Sequence, residues 1–235
     1  MALSLAIICI TAGAMALVGY IYQKIKNYNL KATLLKAIVS FFFIALACVG
    51  LYNKGFHTLS IFVTLGLVCG LIGDIWLALK HVYKEADDLF TFAGFVAFAI
   101  GHLLYISGMF IEYYQDQNVL FIILPIVVGI IMGAGVPVIG KVMSLKLGKF
   151  MVISIIYGAF LFSMMAVGLS LCIMTSWQST TLIMLFIGGV LFSISDLILS
   201  RSYFGHNKSN PVDLIGNSLT YYGAQYLIAF ALYFL

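Results

Sequence analysis

Residues 67–80 read LVCGLIGDIWLALK, and they set an acid, Asp74, inside a run otherwise apolar enough to cross a lipid bilayer. A charge at that depth costs at least about 2.5 kcal/mol on insertion scales, so an intramembrane carboxylate needs a partner, a cavity or a chemical task. Composition decides whether the run is a span. Of 235 residues, 63% are hydrophobic and 9% charged, and the mean hydropathy is +1.13. Soluble domains carry roughly 25% charged residues. Only three prolines interrupt the chain, and the apolar runs are near the ~20 residues of a spanning helix, not the ~10 alternating residues of a barrel strand. The chain therefore reads as an all-α integral membrane protein.

Working outward from Asp74, apolar runs broken by polar clusters give eight transmembrane helices, at 3–22, 31–52, 59–79, 89–111, 118–139, 149–173, 180–200 and 212–234. Their connections are short, so residues 1–235 form a single eight-helix domain. The first run has no basic residues before it and has Lys24 and Lys26 after it. This is the pattern of a retained helix, not of a cleaved leader.

Short loops rich in Lys and Arg stay in the cytoplasm. Lys24, Lys26, Lys31 and Lys36 flank the first connection, Lys80 and Lys84 the third, Lys141, Lys146 and Lys149 the fifth, and Arg201 and Lys208 the seventh. Lys54 alone lies on the other side. Both termini are therefore expected outside the cytoplasm, and the net charge of +4 reflects topology and not nucleic-acid binding. Cys9, Cys48, Cys69 and Cys172 fall inside spans without C-x-x-C spacing, so they read as small packing residues, with no metal site.

Six of the eight acids, Glu85, Asp87, Asp88, Glu112, Asp116 and Asp213, fall in loops or at helix ends, which leaves Asp74 and Asp196 in the membrane. Lys80 follows Asp74 by six residues and Arg201 follows Asp196 by five. At 1.5 Å per residue both acids lie about 7–9 Å inside the basic boundary, at one depth. Setting Asp74 over Asp196 also aligns Gly66 with Gly188, Gly73 with Ser195 and Leu77 with Leu199. His102 then follows its acid by 28 residues and Gln225 follows the other by 29. This is a 4+4 parallel pseudo-repeat. It is expected to bring the third and seventh spans together and to turn both carboxylates toward one cavity.

Spacing predicts which other side chains face inward. Gly66, Gly70 and Asp74 recur every four residues, a stripe that lets another helix approach closely. His102 and Tyr105 share a face, as do Asn217, Tyr221 and Gln225. Taken singly, an intramembrane His or Gln is most often a helix-to-helix hydrogen-bonding group. Two acids at one depth favour chemistry.

Four segments, GDIWLAL (73–79), GHLLYISGMF (101–110), LFSISDLILS (191–200) and YYGAQYLIA (221–229), resemble the YhhN-type lysoplasmalogenase family, with its G-D-x-x-L, H-x-x-Y, S-D-x-x-L and Y-x-x-x-Q patterns in order. Outside these segments only hydrophobicity matches. The resemblance implies an enzyme that takes a lysophospholipid from the bilayer, hydrolyses the vinyl ether of lysoplasmalogens and releases a fatty aldehyde, with no cofactor, in a bacterial inner membrane. Protonating the β-carbon of a vinyl ether leaves an oxocarbenium ion that water then traps. Two close carboxylates could divide the tasks of acid and anion. On this reading Asp74 and Asp196 are catalytic. His102, Tyr105, Ser195, Asn217, Tyr221, Tyr222 and Gln225 position substrate or water, with Ser195 bonding its neighbouring carboxylate. Lys80 and Arg201 hold the lipid phosphate. A proton- or cation-coupled transporter is the alternative, and an intramembrane aspartyl protease a further one, although Ile72 stands where the protease G-x-G-D motif requires glycine.

Overall fold

A computed structural model describes residues 1–114, 119–205 and 210–235; Asp116 and Lys208, counted above among the loop charges, lie outside them. The described residues form nine α-helices and no strand: α1 Ala2–Lys26, α2 Leu30–Lys54, α3 Thr58–Val82, α4 Asp87–Tyr113, α5 Leu120–Ala134, α6 Val136–Val142, α7 Met151–Met174, α8 Thr180–Phe204 and α9 Pro211–Ala231. Among them, seven helical segments are long and apolar enough to cross a membrane, α5 and α6 counting as one. The protein is a multi-pass integral membrane protein.

Two features depart from a plain set of eight spans. The run read as one helix over 118–139 is interrupted at Gly135, whose N–H bonds back to both Ile131 and Met132. Pro137, in the first turn of α6, has no N–H and cannot continue the ladder. The final helix, α9, is not among the seven apolar segments. Its 21 residues reach about 31 Å, but Asn217, Ser218 and Gln225 lower its hydropathy, and all three are buried. Its polar face is turned into the bundle.

Packing contacts run α2–α3–α4–α7–α8–α9 and back to α2, a ring of six helices, with α1 laid against α2 and α9 and α5 against α7. Burial agrees: 11% of the apolar window of α1 and 17% of that of α5–α6 is buried, against 39–50% for the other five segments. Where the sequence reading placed the acid-bearing helices side by side, α3 and α8 stand opposite each other in the ring. Small residues set the tightest approaches. A Cβ on Gly101 would lie 3.1 Å from the Gly66 carbonyl oxygen, and one on Gly133 would lie 2.5 Å from the Ala159 nitrogen. Such backbone contacts supply the dispersion and weak hydrogen bonding that join helices in lipid.

Local signals fix the register of the site-bearing helices. The Asn29 side chain accepts from the N–H groups of Lys31 and Ala32, capping two otherwise unsatisfied donors. That start places Lys36 in the second turn of α2. Asn210 caps α9 by accepting from Val212 N–H, with Pro211 at the first helical position. Asp74 precedes Val82, the last residue of α3, by eight positions, and Asp196 precedes Phe204, the last of α8, by eight. The backbone bond from Lys146 N–H to Phe204 C=O, 2.8 Å, and the Lys149–Asp88 ion pair tie the loops together at this same end.

Candidate active site

A cavity of about 660 Å³ opens toward that basic end, and both intramembrane aspartates line it. Asp74 is 1% exposed and is held by three groups. Lys36 Nζ lies 2.9 Å from Oδ1. Ser40 Oγ donates to Oδ2 at 2.6 Å and Tyr221 OH donates to the same oxygen at 2.8 Å. A cation and two hydroxyl donors are the surroundings of an anion. A second layer orients Tyr221: Gln225 Nε2 donates to its hydroxyl at 3.1 Å, and Tyr105 OH donates to Gln225 Oε1 at 3.3 Å. The stripe Gly66, Gly70, Asp74 makes room for this chain, since a Cβ on Gly66 would strike the Tyr105 ring at 2.3 Å and one on Gly70 would meet Gln225 Nε2 at 2.6 Å.

Asp196 has different company. Its Oδ2 accepts from Tyr157 OH, and among the described residues no cation lies within ion-pair distance of it. Tyr157 stands on α7, 39 residues before its acid. Lys36 stands on α2, 38 residues before Asp74. Each carboxylate thus receives a partner from the preceding ring helix, an ammonium in one case and a phenol in the other.

The remaining sequence candidates divide by position. Ser195, Asn217, Tyr221, Tyr222 and Lys80 line the cavity with the acids, whereas His102, Tyr105, Gln225 and Arg201 are not part of its wall. Ser195 does not bond its neighbouring carboxylate. Its hydroxyl and carbonyl accept from Asn217 Nδ2 at 2.9 and 3.1 Å, a polar clasp between α8 and α9 beside Asp196. Tyr222 OH donates to the Lys36 carbonyl at 3.4 Å, so it supports the lysine and not the acid. His102 is fully buried against the rings of Tyr105, Tyr157 and Phe192. Of the two nominated cations, Lys80 pairs with Asp87 at 3.3 Å and lies over the Tyr203 ring; Arg201 pairs with Asp213 at 3.7 Å. Among the described residues no three His, Cys, Asp or Glu side chains converge as metal ligands.

Sequence reasoning passed over Lys36, Ser40 and Tyr157. Lys36 was counted with the charges of a connection. A usable signal was present, since Lys36 and Ser40 are four residues apart and share one face of α2. For Tyr157 the signal was the alignment of Asp74 over Asp196, which sets Tyr157 one position from the residue aligned with Lys36.

A model of the YhhN family matches residues 30–232. The chain belongs to the YhhN family. No curated protein and no solved structure matches it. The YhhN match contains both aspartates, all their direct partners and every helix of the ring; α1 lies before it.

Proposed function

We propose that this YhhN-family protein is a hydrolase that cleaves the vinyl ether bond of lysoplasmalogens to a fatty aldehyde and the glycerophospho alcohol. The observation that carries this reading is the unequal pair of aspartates on one membrane cavity: Asp74 compensated by Lys36, and Asp196 bonded, among the described residues, to a phenol and to no cation. Vinyl ether hydrolysis needs one group that delivers a proton and another that is anionic, and the two environments are suited to those tasks. Asp196 gives its proton to the β-carbon, and the electrons of the double bond move to leave an oxocarbenium ion. Water adds to the α-carbon as the Asp74 carboxylate takes its proton. Asp74 then returns that proton to the departing glycerol oxygen while Asp196 recovers one from the hemiacetal hydroxyl, and both acids are reset. Phe95, Phe98, Leu161 and Phe192 in the cavity wall offer the alkenyl chain an apolar bed.

The packing order also supports a 4+4 repeat in which α1–α4 correspond to α5–α9, with α5 and α6 together as one unit. Under that correspondence the α4–α7 contact is the counterpart of the α9–α2 contact, and both are present. With the lysine-rich end in the cytoplasm, both termini lie outside, and the bacterial inner membrane is the location we assign.

The test is aldehyde release from an alkenyl lysophospholipid by detergent-purified protein. Parent chain should release it, Asp74→Asn and Asp196→Asn should release none, and Tyr157→Phe should be slowed about tenfold or more by loss of one hydrogen bond to a charged or reacting group. Absence of aldehyde with folded parent protein, or full activity in either Asn variant, overturns the assignment.

A further inference from the structure

We propose that Lys24, on α1, is the phosphate anchor of a lysophospholipid held in the cavity and so the residue that selects phospholipid over neutral ether lipid. The inference rests on the substrate class proposed above, but on different residues. The two cations that sequence spacing nominated for this task, Lys80 and Arg201, both have carboxylates beside them, and Lys36 is bound to Asp74. Lys24 differs. Its ammonium lines the cavity and contacts Ser218 Oγ at 3.1 Å and the Leu214 carbonyl at 3.5 Å. Among the described residues no carboxylate lies within ion-pair distance of it. A half-buried ammonium whose hydrogen-bond partners among the described residues are neutral gains most from an anion that enters with the substrate.

Its height relative to the acids fits the same ligand. Along α9, Ser218 touches Lys24 and Tyr221 touches Asp74. Those positions are three residues apart, about 4.5 Å along the axis, and a hydrogen bond to a phosphate oxygen adds about 3 Å. In a lysoplasmalogen five bonds separate phosphorus from the vinyl ether oxygen, roughly 6–7 Å by ordinary bond lengths. A phosphate on Lys24 thus leaves the vinyl ether at the level of the aspartates, with the alkenyl chain continuing inward. Lys24 lies before the region that the family model matches, so this contact is a property of this chain's first helix.

The experiment measures binding without chemistry. A non-cleavable 1-O-alkyl lysophospholipid and the corresponding 1-O-alkylglycerol, which lacks phosphate, are titrated calorimetrically into detergent-purified parent, Lys24→Met, Lys24→Arg and Lys26→Met protein. Lys26 is exposed and outside the cavity wall. The parent should prefer the phospholipid by about tenfold, the value of one charge-assisted hydrogen bond. Lys24→Met should remove the preference while leaving alkylglycerol binding unchanged, which also reports that the variant is folded. Lys24→Arg should restore it, and Lys26→Met should keep it. A preference that survives in Lys24→Met, or is absent from the parent, overturns the proposal. So does displacement of the lipid by glycerophosphate at equal concentration, which would identify a site for soluble phosphate. Because the alkyl ether is not cleaved, a parent that shows no preference yet still releases aldehyde, or a Lys24→Met variant that keeps the preference, refutes Lys24 alone. A parent preference that Lys24→Met removes, without aldehyde release from the parent, refutes the hydrolase reading alone.

Discussion

Replacing Lys36 by Met removes the cation beside Asp74 and keeps an unbranched side chain of similar length. The side chains of this pair are 11% and 1% exposed, and nitrogen and oxygen are 2.9 Å apart. With an effective dielectric constant of about 20, that separation gives a gross attraction of about 6 kcal/mol. Most of it offsets the cost of burying two charges. Removing one partner is far more damaging than the net value of the pair suggests, because the other charge stays buried, and losses of about 3–5 kcal/mol are usual. Ser40 and Tyr221 still donate to Asp74 in the variant, so the lower end, about 3 kcal/mol, is expected. The assay is denaturant unfolding in detergent of four proteins: parent, Lys36→Met, Asp74→Asn and the double variant. Each single change strands one charge, whereas the double change strands none and retains an acceptor for both hydroxyls. The double variant should be no less stable than either single one, a coupling of at least 2 kcal/mol by the order of magnitude of such cycles. If the double variant loses the sum of the single losses, the lysine contributes by the packing of its stem. Asp74 is then not the compensated anion, and the division of labour between the two acids falls.

Two further predictions concern backbone approach and topology. Gly70→Ala forces Gln225 Nε2 from 2.6 Å and breaks its bond to Tyr221. It should cost about 1–3 kcal/mol in unfolding free energy and combine less than additively with Gln225→Ala, whereas Gly223→Ala, with no atom within 4 Å of its new carbon, should be neutral or stabilising by up to about 1 kcal/mol. A loss at Gly223 equal to that at Gly70 would mean that the close contact with Gln225 does not set the cost at Gly70. In a cysteine-free chain, cysteines placed at Lys54 and at Lys84 should react with an impermeant maleimide from opposite faces of the membrane; reaction from one face contradicts the orientation argued from charge.

The acids were legible because lipid leaves so few reasons for a charge to be there. Hydropathy and spacing located Asp74 and Asp196, and the four-residue stripe from Gly66 to Asp74 pointed to a close-packed face. What the sequence did not show was pairing. Lys36 lies close enough to a helix end to pass for a charge flanking a loop, and its partner Asp74 stands on another helix. Ser195 stands next to Asp196 in the chain, but adjacent residues on a helix point about 100° apart, so its hydroxyl meets Asn217 on α9. His102 carries a motif position and yet packs among aromatic rings outside the cavity wall, because a period of 3.6 identifies a face without saying what occupies it. The interruption at Gly135 was marked by GAGVP over 133–137, a cluster of helix-weakening residues concealed by the high hydropathy around it.

On the proposed reading, two equivalent carboxylates on one cavity would by themselves make a poor catalyst, since two identical acids would compete for one protonation state instead of dividing the tasks. The two aspartates share a helix position, eight residues from the end, and their partners occur at nearly equal separations upstream. The difference lies in what stands there, a lysine for Asp74 and a tyrosine for Asp196. On the proposed reading, this difference in partner, at positions one residue out of register in the repeat, is what divides the pair into an anion and a proton donor. It follows that exchanging the partners, not merely deleting them, is the informative perturbation. Lys36→Tyr combined with Tyr157→Lys carries the cation to Asp196, and on this argument the double exchange should recover the aldehyde release that each single exchange abolishes. Either single exchange should be inactive, because it leaves both acids bonded to phenols or both compensated by cations.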